Sequence, residues 1–243
     1  MDRKEQIHQK LEIMGKCYKE RSLENLDLFY DTFFSEACPI IQTDGGPWFA
    51  TKERIYQLIT YDWEHWGDVE LQTWGFEFEE TEEYVWVKVQ ALLDFGKEHV
   101  WDMEIVMVMV EEGEELYCRF MQFYIPRNAL RPTVVLNKSE KEWEKFKREV
   151  ESLVNSPAQK ASQALAEELL MCVKENRPDF TDVVLPKNQI IIERKGAEMC
   201  FAAIGLAKNE TAQLPVRIIG IWNPADGKLR KYEISYPFFC NLE

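Results

Sequence analysis

Chemistry in a polypeptide needs reactive side chains at workable spacings, and here the candidates are few. The chain has three histidines, His8, His65 and His99. His65 follows Asp62 by three residues and precedes Asp68 by three, which could supply a His–Asp pair for acid–base work. That spacing near a helix end serves capping and solvation equally well, and a helix C-terminus favours His through its dipole. Asp44 is the other candidate base, but it sits in Asp44-Gly45-Gly46-Pro47, where an aspartate bonds the backbone of a turn. No HExxH or clustered His/Asp/Glu spacing suggests a metal, and no Cys-x-x-Cys suggests a zinc knuckle. Neither a P-loop, a GxGxxG fingerprint nor a GxSxG elbow is found, so the sequence calls for no cofactor.

Aromatic residues are the more suggestive set. Trp48, Trp63, Trp66, Trp74, Trp86 and Trp101 fall in the first half, together with Tyr30, Tyr56 and Tyr124. Each tryptophan offers a large apolar area and one N–H donor, which suits a pocket as well as it suits a core. Gln122 shares a strand face with Tyr124, whereas Arg119, three residues away, cannot join them on a regular strand. The expected ligand-binding set is therefore Tyr30, Trp48, Trp63, Trp86, Gln122 and Tyr124, with Asp44 the one candidate catalytic residue.

These residues must be positioned by regular elements, and the periodicity supplies them. Ile7, Leu11, Met14 and Tyr18 mark one face of a first helix. Ser22 can cap a second, bearing Leu26, Phe29, Tyr30, Phe33 and Phe34. A short strand, 40–43, and turn residues 44–47 precede a third helix capped by Thr51, with Ile55, Leu58 and Ile59 inward and Gly67 after its end. The period then changes to two, giving strands at 69–79, 84–95, 101–110 and 116–125. Beyond Pro126 and Pro132, residues 138–175 return to a helical period. Trp143, Phe146, Val150 and Leu153 form one face, Ser156-Pro157 a cap, and Leu165, Leu169, Cys172 and Val173 a second face. Strands follow at 189–194, 199–207, 216–222 and 229–236, the last two joined by Asn223-Pro224-Ala225-Asp226-Gly227.

The two halves match in pattern. Residues 75–93 parallel 189–207, and 101–126 parallel 214–238, with helices before both. The second half lacks the short strand and third helix, holding only 177–188 in their place, so it reads as an abbreviated copy. The organisation expected is a domain at 1–128, a linker at 129–138 and a second domain at 139–243, in the α+β class.

Composition sets limits on partners. The chain has 243 residues, is 46% hydrophobic and carries a net charge of −14, so it can build a core but opposes nucleic acid and anionic membranes. Six scattered cysteines and a polar N-terminus without an apolar stretch fit a cytoplasmic protein with reduced thiols.

The first half resembles the NTF2-like superfamily and, within it, the SnoaL-like branch. The residues that carry this are CPIIQTDGGPWFATKERI (38–55), DWEHWGDVELQ (62–72), EYVWVKVQALLDF (83–95) and YCRFMQFYIP (117–126). The resemblance implies a cone of curved antiparallel sheet over helices with an apolar pocket, here as a tandem repeat with a truncated second copy. It also implies a pseudo-dimer of the two copies within one chain, and further homodimers are open. Members include isomerases, cyclases and dehydratases as well as proteins without known activity. Where isomerases of this kind place their base, this chain has Ile40, Ile41 and Gln42. The expectation is thus binding of a small apolar molecule without catalysis. The alternatives are a ketosteroid-isomerase-, cyclase- or dehydratase-like enzyme on an apolar carbonyl compound, and a protein-interaction module.

Overall fold

In a computed structural model the described residues are 2–35, 38–41, 47–65, 67–96, 100–124, 163–185, 190–210 and 213–236. The chain divides into two compact units, residues 1–40, 49–80 and 84–131, and residues 41–48, 81–83 and 132–243. The expected linker at 129–138, the helix face at 143–153 and the Ser156-Pro157 cap lie outside the described residues.

The first unit opens with α1 (Arg3–Glu20), capped by Asp2, whose carboxylate accepts from the Glu5 amide at 2.7 Å. Its buried positions include Ile7, Leu11 and Met14, as the heptad-like spacing requires. Ser22 caps α2 (Leu23–Phe33) by accepting from the Asn25 amide at 3.1 Å. Two short strands follow, β1 (Cys38–Ile41) and β2 (Pro47–Ala50). The sequence places Pro47, the first residue of the second, at the end of a turn after Gly45-Gly46. A proline is tolerated at the start of an edge strand, and β2 is the outermost strand of its sheet. Thr51 then starts α3 (Lys52–His65), its hydroxyl accepting from the Arg54 amide at 3.3 Å. Gly67, at φ +66°, adopts the left-handed conformation that suits the residues after a helix end.

Four long strands complete the sheet: β3 (Glu70–Glu80), β4 (Val85–Asp94), β5 (Val100–Glu112) and β6 (Glu115–Tyr124). The spatial order is β2-β1-β6-β5-β4-β3, so the long strands form an antiparallel meander and β1 returns to β6. Two register shifts interrupt it, one leaving Trp74 extra on β3 and one leaving Arg119 extra on β6. Such bulges bend a strand and change which residues share a face.

The second unit contains α4 (Gln163–Asn176), whose buried residues are Leu165, Leu169, Cys172 and Val173. It packs with a sheet of β7 (Asp182–Val184), β8 (Ile190–Lys195), β9 (Glu198–Lys208), β10 (Gln213–Asn223) and β11 (Lys228–Ser235). Strands β8 to β11 form a second meander, ordered β11-β10-β9, with both β8 and β7 on the far side of β9. Leu165, Leu169 and Val173 enclose one core with Phe180, Phe201, Val216, Ile218 and Trp222. The turn between β10 and β11 is closed by Asn223, whose side chain accepts from the Ala225 amide at 2.9 Å, and by Gly227 at φ +69°. Among the described residues no helix is long and apolar enough to cross a membrane.

Candidate functional site

Strand register sorts the side chains of the first unit onto two faces. One is continuously apolar: Val87, Val89, Ile105, Met107, Met109 and Met121 are all buried there. Met107 pairs with Met121, and Met103 lies on the same face. Thioether side chains have many rotamers and adapt to irregular neighbours.

The opposite face is mixed. Its rows are Trp86–Val108–Phe120, Lys88–Val106–Gln122 and Gln90–Glu104–Tyr124. Glu104 organises the polar end, accepting from Gln90 Nε2 at 3.2 Å and pairing with Lys88 Nζ at 3.3 Å. Three of the expected binding residues, Trp86, Gln122 and Tyr124, are thereby brought onto one face.

Gln122 is the anomaly of that face. It is 0% exposed, and among the described residues neither its amide nitrogen nor its oxygen has a hydrogen-bond partner. A buried amide without partners costs a few kcal/mol, so native structures supply water or a ligand at such points. Its neighbours on this face are Val106 across the strands and Phe120 and Tyr124 along its own strand, and its amide can both donate and accept.

The bulge explains why Arg119 does not share this arrangement. Cys118 opposes Met109 and Phe120 opposes Val108, so Arg119 stands outside the ladder and pairs instead with Glu112. The strand is not regular there, and parity counting across residue 119 fails for that reason.

The remaining expected residues lie elsewhere. Tyr30, half-buried on α2, has its ring 5.5 Å from that of Phe34, with Lys52 Nζ 5.9 Å above its own. Lys52 also meets Asp27 at 2.6 Å and Asp31 at 3.6 Å. The hydrogen bond to Asp27 raises the Lys52 pKa, and the same contact lowers that of Asp27. Beside them Lys52, Glu53, Tyr56 and Gln57 line an open depression of about 350 Å³. Trp63 is half-buried near the end of α3; its indole nitrogen is buried without a partner among the described residues. Asp44, His99 and the side chains of Trp48 and His65 lie outside the described residues.

One pairing has no signal in the sequence. Tyr18 on α1 donates its hydroxyl to Asp62 Oδ2 on α3 at 3.1 Å, and Asp62 is 4% exposed. Burial pushes the Tyr18 pKa well above its ordinary value, and the Asp62 charge adds to the shift. Periodicity places Tyr18 on an apolar helix face and gives no sign of a partner 44 residues away.

No family model matches the chain, and no curated protein does. Solved structures do resemble it over about half its length. A protein of unknown function with a cystatin-like fold from Nostoc punctiforme has a TM-score of 0.45 at 10% identity, covering 54% of this chain and 95% of its own. An NTF-2 like protein of unknown function from Pseudomonas aeruginosa has a TM-score of 0.41 at 13% identity, covering 51% and 97%. An NTF2-like protein from Cytophaga hutchinsonii has a TM-score of 0.39 at 11% identity, covering 52% and 100%.

Proposed function

We propose that the first unit binds a small, mostly apolar molecule without transforming it, and that Gln122 makes the principal polar contact. The observation that carries this reading is the buried Gln122 amide with both ends unpartnered. A ligand carbonyl would accept from Nε2, or a ligand hydroxyl or N–H would donate to Oε1. Trp86, Val106, Val108 and Phe120 on the same face offer the apolar remainder of such a site. A net charge of −14 favours neutral over anionic ligands.

The test is fluorescence titration of the full chain with Nile red, a neutral apolar dye with a carbonyl acceptor. Saturable one-to-one binding is expected, weakened on the order of tenfold in Gln122→Leu, which corresponds to about 1.4 kcal/mol. Absence of saturable binding, or equal binding by the variant, overturns the reading.

A second reading, isomerase-, cyclase- or dehydratase-like chemistry on an apolar carbonyl compound, draws on the Tyr18–Asp62 pair. A buried carboxylate beside a phenol is a combination that enolisation uses. It predicts slow conversion of a β,γ-unsaturated cyclic ketone to its conjugated isomer, lost in Asp62→Asn and retained in Gln122→Leu.

The second unit reads as an abbreviated duplicate of the first, and a shared detail supports this. In each meander the last hairpin has one register shift on its return strand, and the extra residue is an arginine: Arg119 in one, Arg230 in the other. Each pairs with an acid at its own turn, Glu112 and Asp226 respectively. The SnoaL-like affiliation and a cytoplasmic location belong to this same reading.

A further inference from the structure

We propose that Cys38 and Cys118 are a modification site, a thiol pair that closes into a disulfide within the first unit when a small-molecule disulfide oxidises it. Cys38 on β1 and Cys118 on β6 place their sulfurs 3.9 Å apart, and both residues are buried at 1% exposure. Their strands are hydrogen-bonded neighbours. The sulfurs are nearly in van der Waals contact, so closing to bond length needs rotation about the Cα–Cβ bonds and a small shift of one strand. β1 is four residues long, so such a shift disturbs little of the ladder.

Cys118 has a further contact: its thiol donates to the Phe120 carbonyl at 3.2 Å. Two of the other described cysteines lie on helices, away from this pair. Cys17 is buried in α1 with its thiol pushed up to about 12 by desolvation, which keeps it protonated and unreactive. Cys172, on α4, also has its pKa raised by burial.

The step balances as thiol–disulfide exchange. One thiol loses its proton and its sulfur attacks the oxidant disulfide, forming a mixed disulfide and releasing one thiolate. The second protein thiol, deprotonated in turn, displaces the other half. Two protein thiols are oxidised to one disulfide, and one small-molecule disulfide is reduced to two thiols. Burial makes the first attack slow, since the oxidant reaches either sulfur only when the β2–β1 end of the sheet opens.

The test incubates the full folded chain with oxidised glutathione and follows intact mass, then maps disulfides after digestion without reduction. The expected product has lost two hydrogens and carries no glutathione, and its cross-linked peptide joins Cys38 to Cys118. Its melting temperature should rise and return when dithiothreitol is added, because the bridge constrains the unfolded chain. Cys118→Ser should stop at a glutathione adduct on Cys38 or remain unmodified. A stable adduct on either cysteine of the wild-type protein, a bridge involving any other cysteine, or no mass change over days overturns the proposal. Wild-type mapping decides the matter even if the variant folds poorly.

Discussion

Tyr18 and Asp62 join the first and third helices through one buried hydrogen bond, 3.1 Å from phenol oxygen to carboxylate. Replacing the phenol by Tyr18→Phe removes a donor from a buried carboxylate, which costs about 1–3 kcal/mol. The Tyr18 pKa is raised in the folded state, so its contribution is complete below the unfolded tyrosine value and disappears as pH climbs through the folded one. Urea unfolding at neutral and strongly alkaline pH should therefore show a loss of stability with rising pH. Part of that slope should vanish in Tyr18→Phe. A slope unchanged by the substitution would place the alkaline sensitivity elsewhere.

Gln6 performs a role usually taken by a neighbouring strand. Its side-chain amide donates to the Glu114 carbonyl at 2.9 Å and accepts from the Leu116 amide at 3.0 Å, closing the β5–β6 hairpin against α1. Gln6→Ala removes both bonds and strands a buried backbone N–H, at an expected cost of about 2–3 kcal/mol. Hydrogen exchange at the Leu116 amide is the direct measurement, and it should speed up well beyond the global change. Gln6→Glu retains the acceptor for Leu116 and should preserve part of that protection.

Gln122 makes an opposite prediction for stability. Gln122→Leu replaces a buried amide without partners by an apolar group of similar size. In the absence of ligand the variant should be equally stable or more stable, by about 1–2 kcal/mol, in denaturant unfolding. A binding residue that weakens its own fold is a common functional compromise. A clear destabilisation in Gln122→Leu would mean that the amide is satisfied in solution by a structural water.

Several of these relationships were legible in the sequence, for stateable reasons. Ser22 and Thr51 mark helix starts because capping is local, and Leu165, Leu169, Cys172 and Val173 declare a buried stripe by spacing alone. Gln122 stands out as the one amide in a strand whose other buried residues are apolar. Strand β7 was not legible: three residues carry no alternation, and its pairing is set by β9. The bulges at Trp74 and Arg119 are defined only by the partner strand's register. Tyr18–Asp62 and Cys38–Cys118 lie 44 and 80 residues apart, distances over which spacing is silent.

Gly220 shows how closely the second unit is built. It lies in β10, opposite Tyr232 on β11 and Phe201 on β9. A methyl group added there would lie 2.6 Å from the Lys231 carbonyl oxygen and 2.7 Å from the Phe201 ring. Both are closer than atoms tolerate, and neither neighbour is a flexible chain end: one is strand backbone, the other a fully buried ring. Gly220→Ala must push the β10 and β11 strands apart or displace Phe201 within the core it shares with Leu165, Leu169 and Val216. Overpacking of this kind costs about 1–3 kcal/mol. The substitution should lower the denaturant midpoint and broaden the methyl resonances of that core. Pairing it with Phe201→Leu, which makes room, should recover part of the loss, and a double variant no better than the sum of the singles would assign the strain to the Lys231 carbonyl.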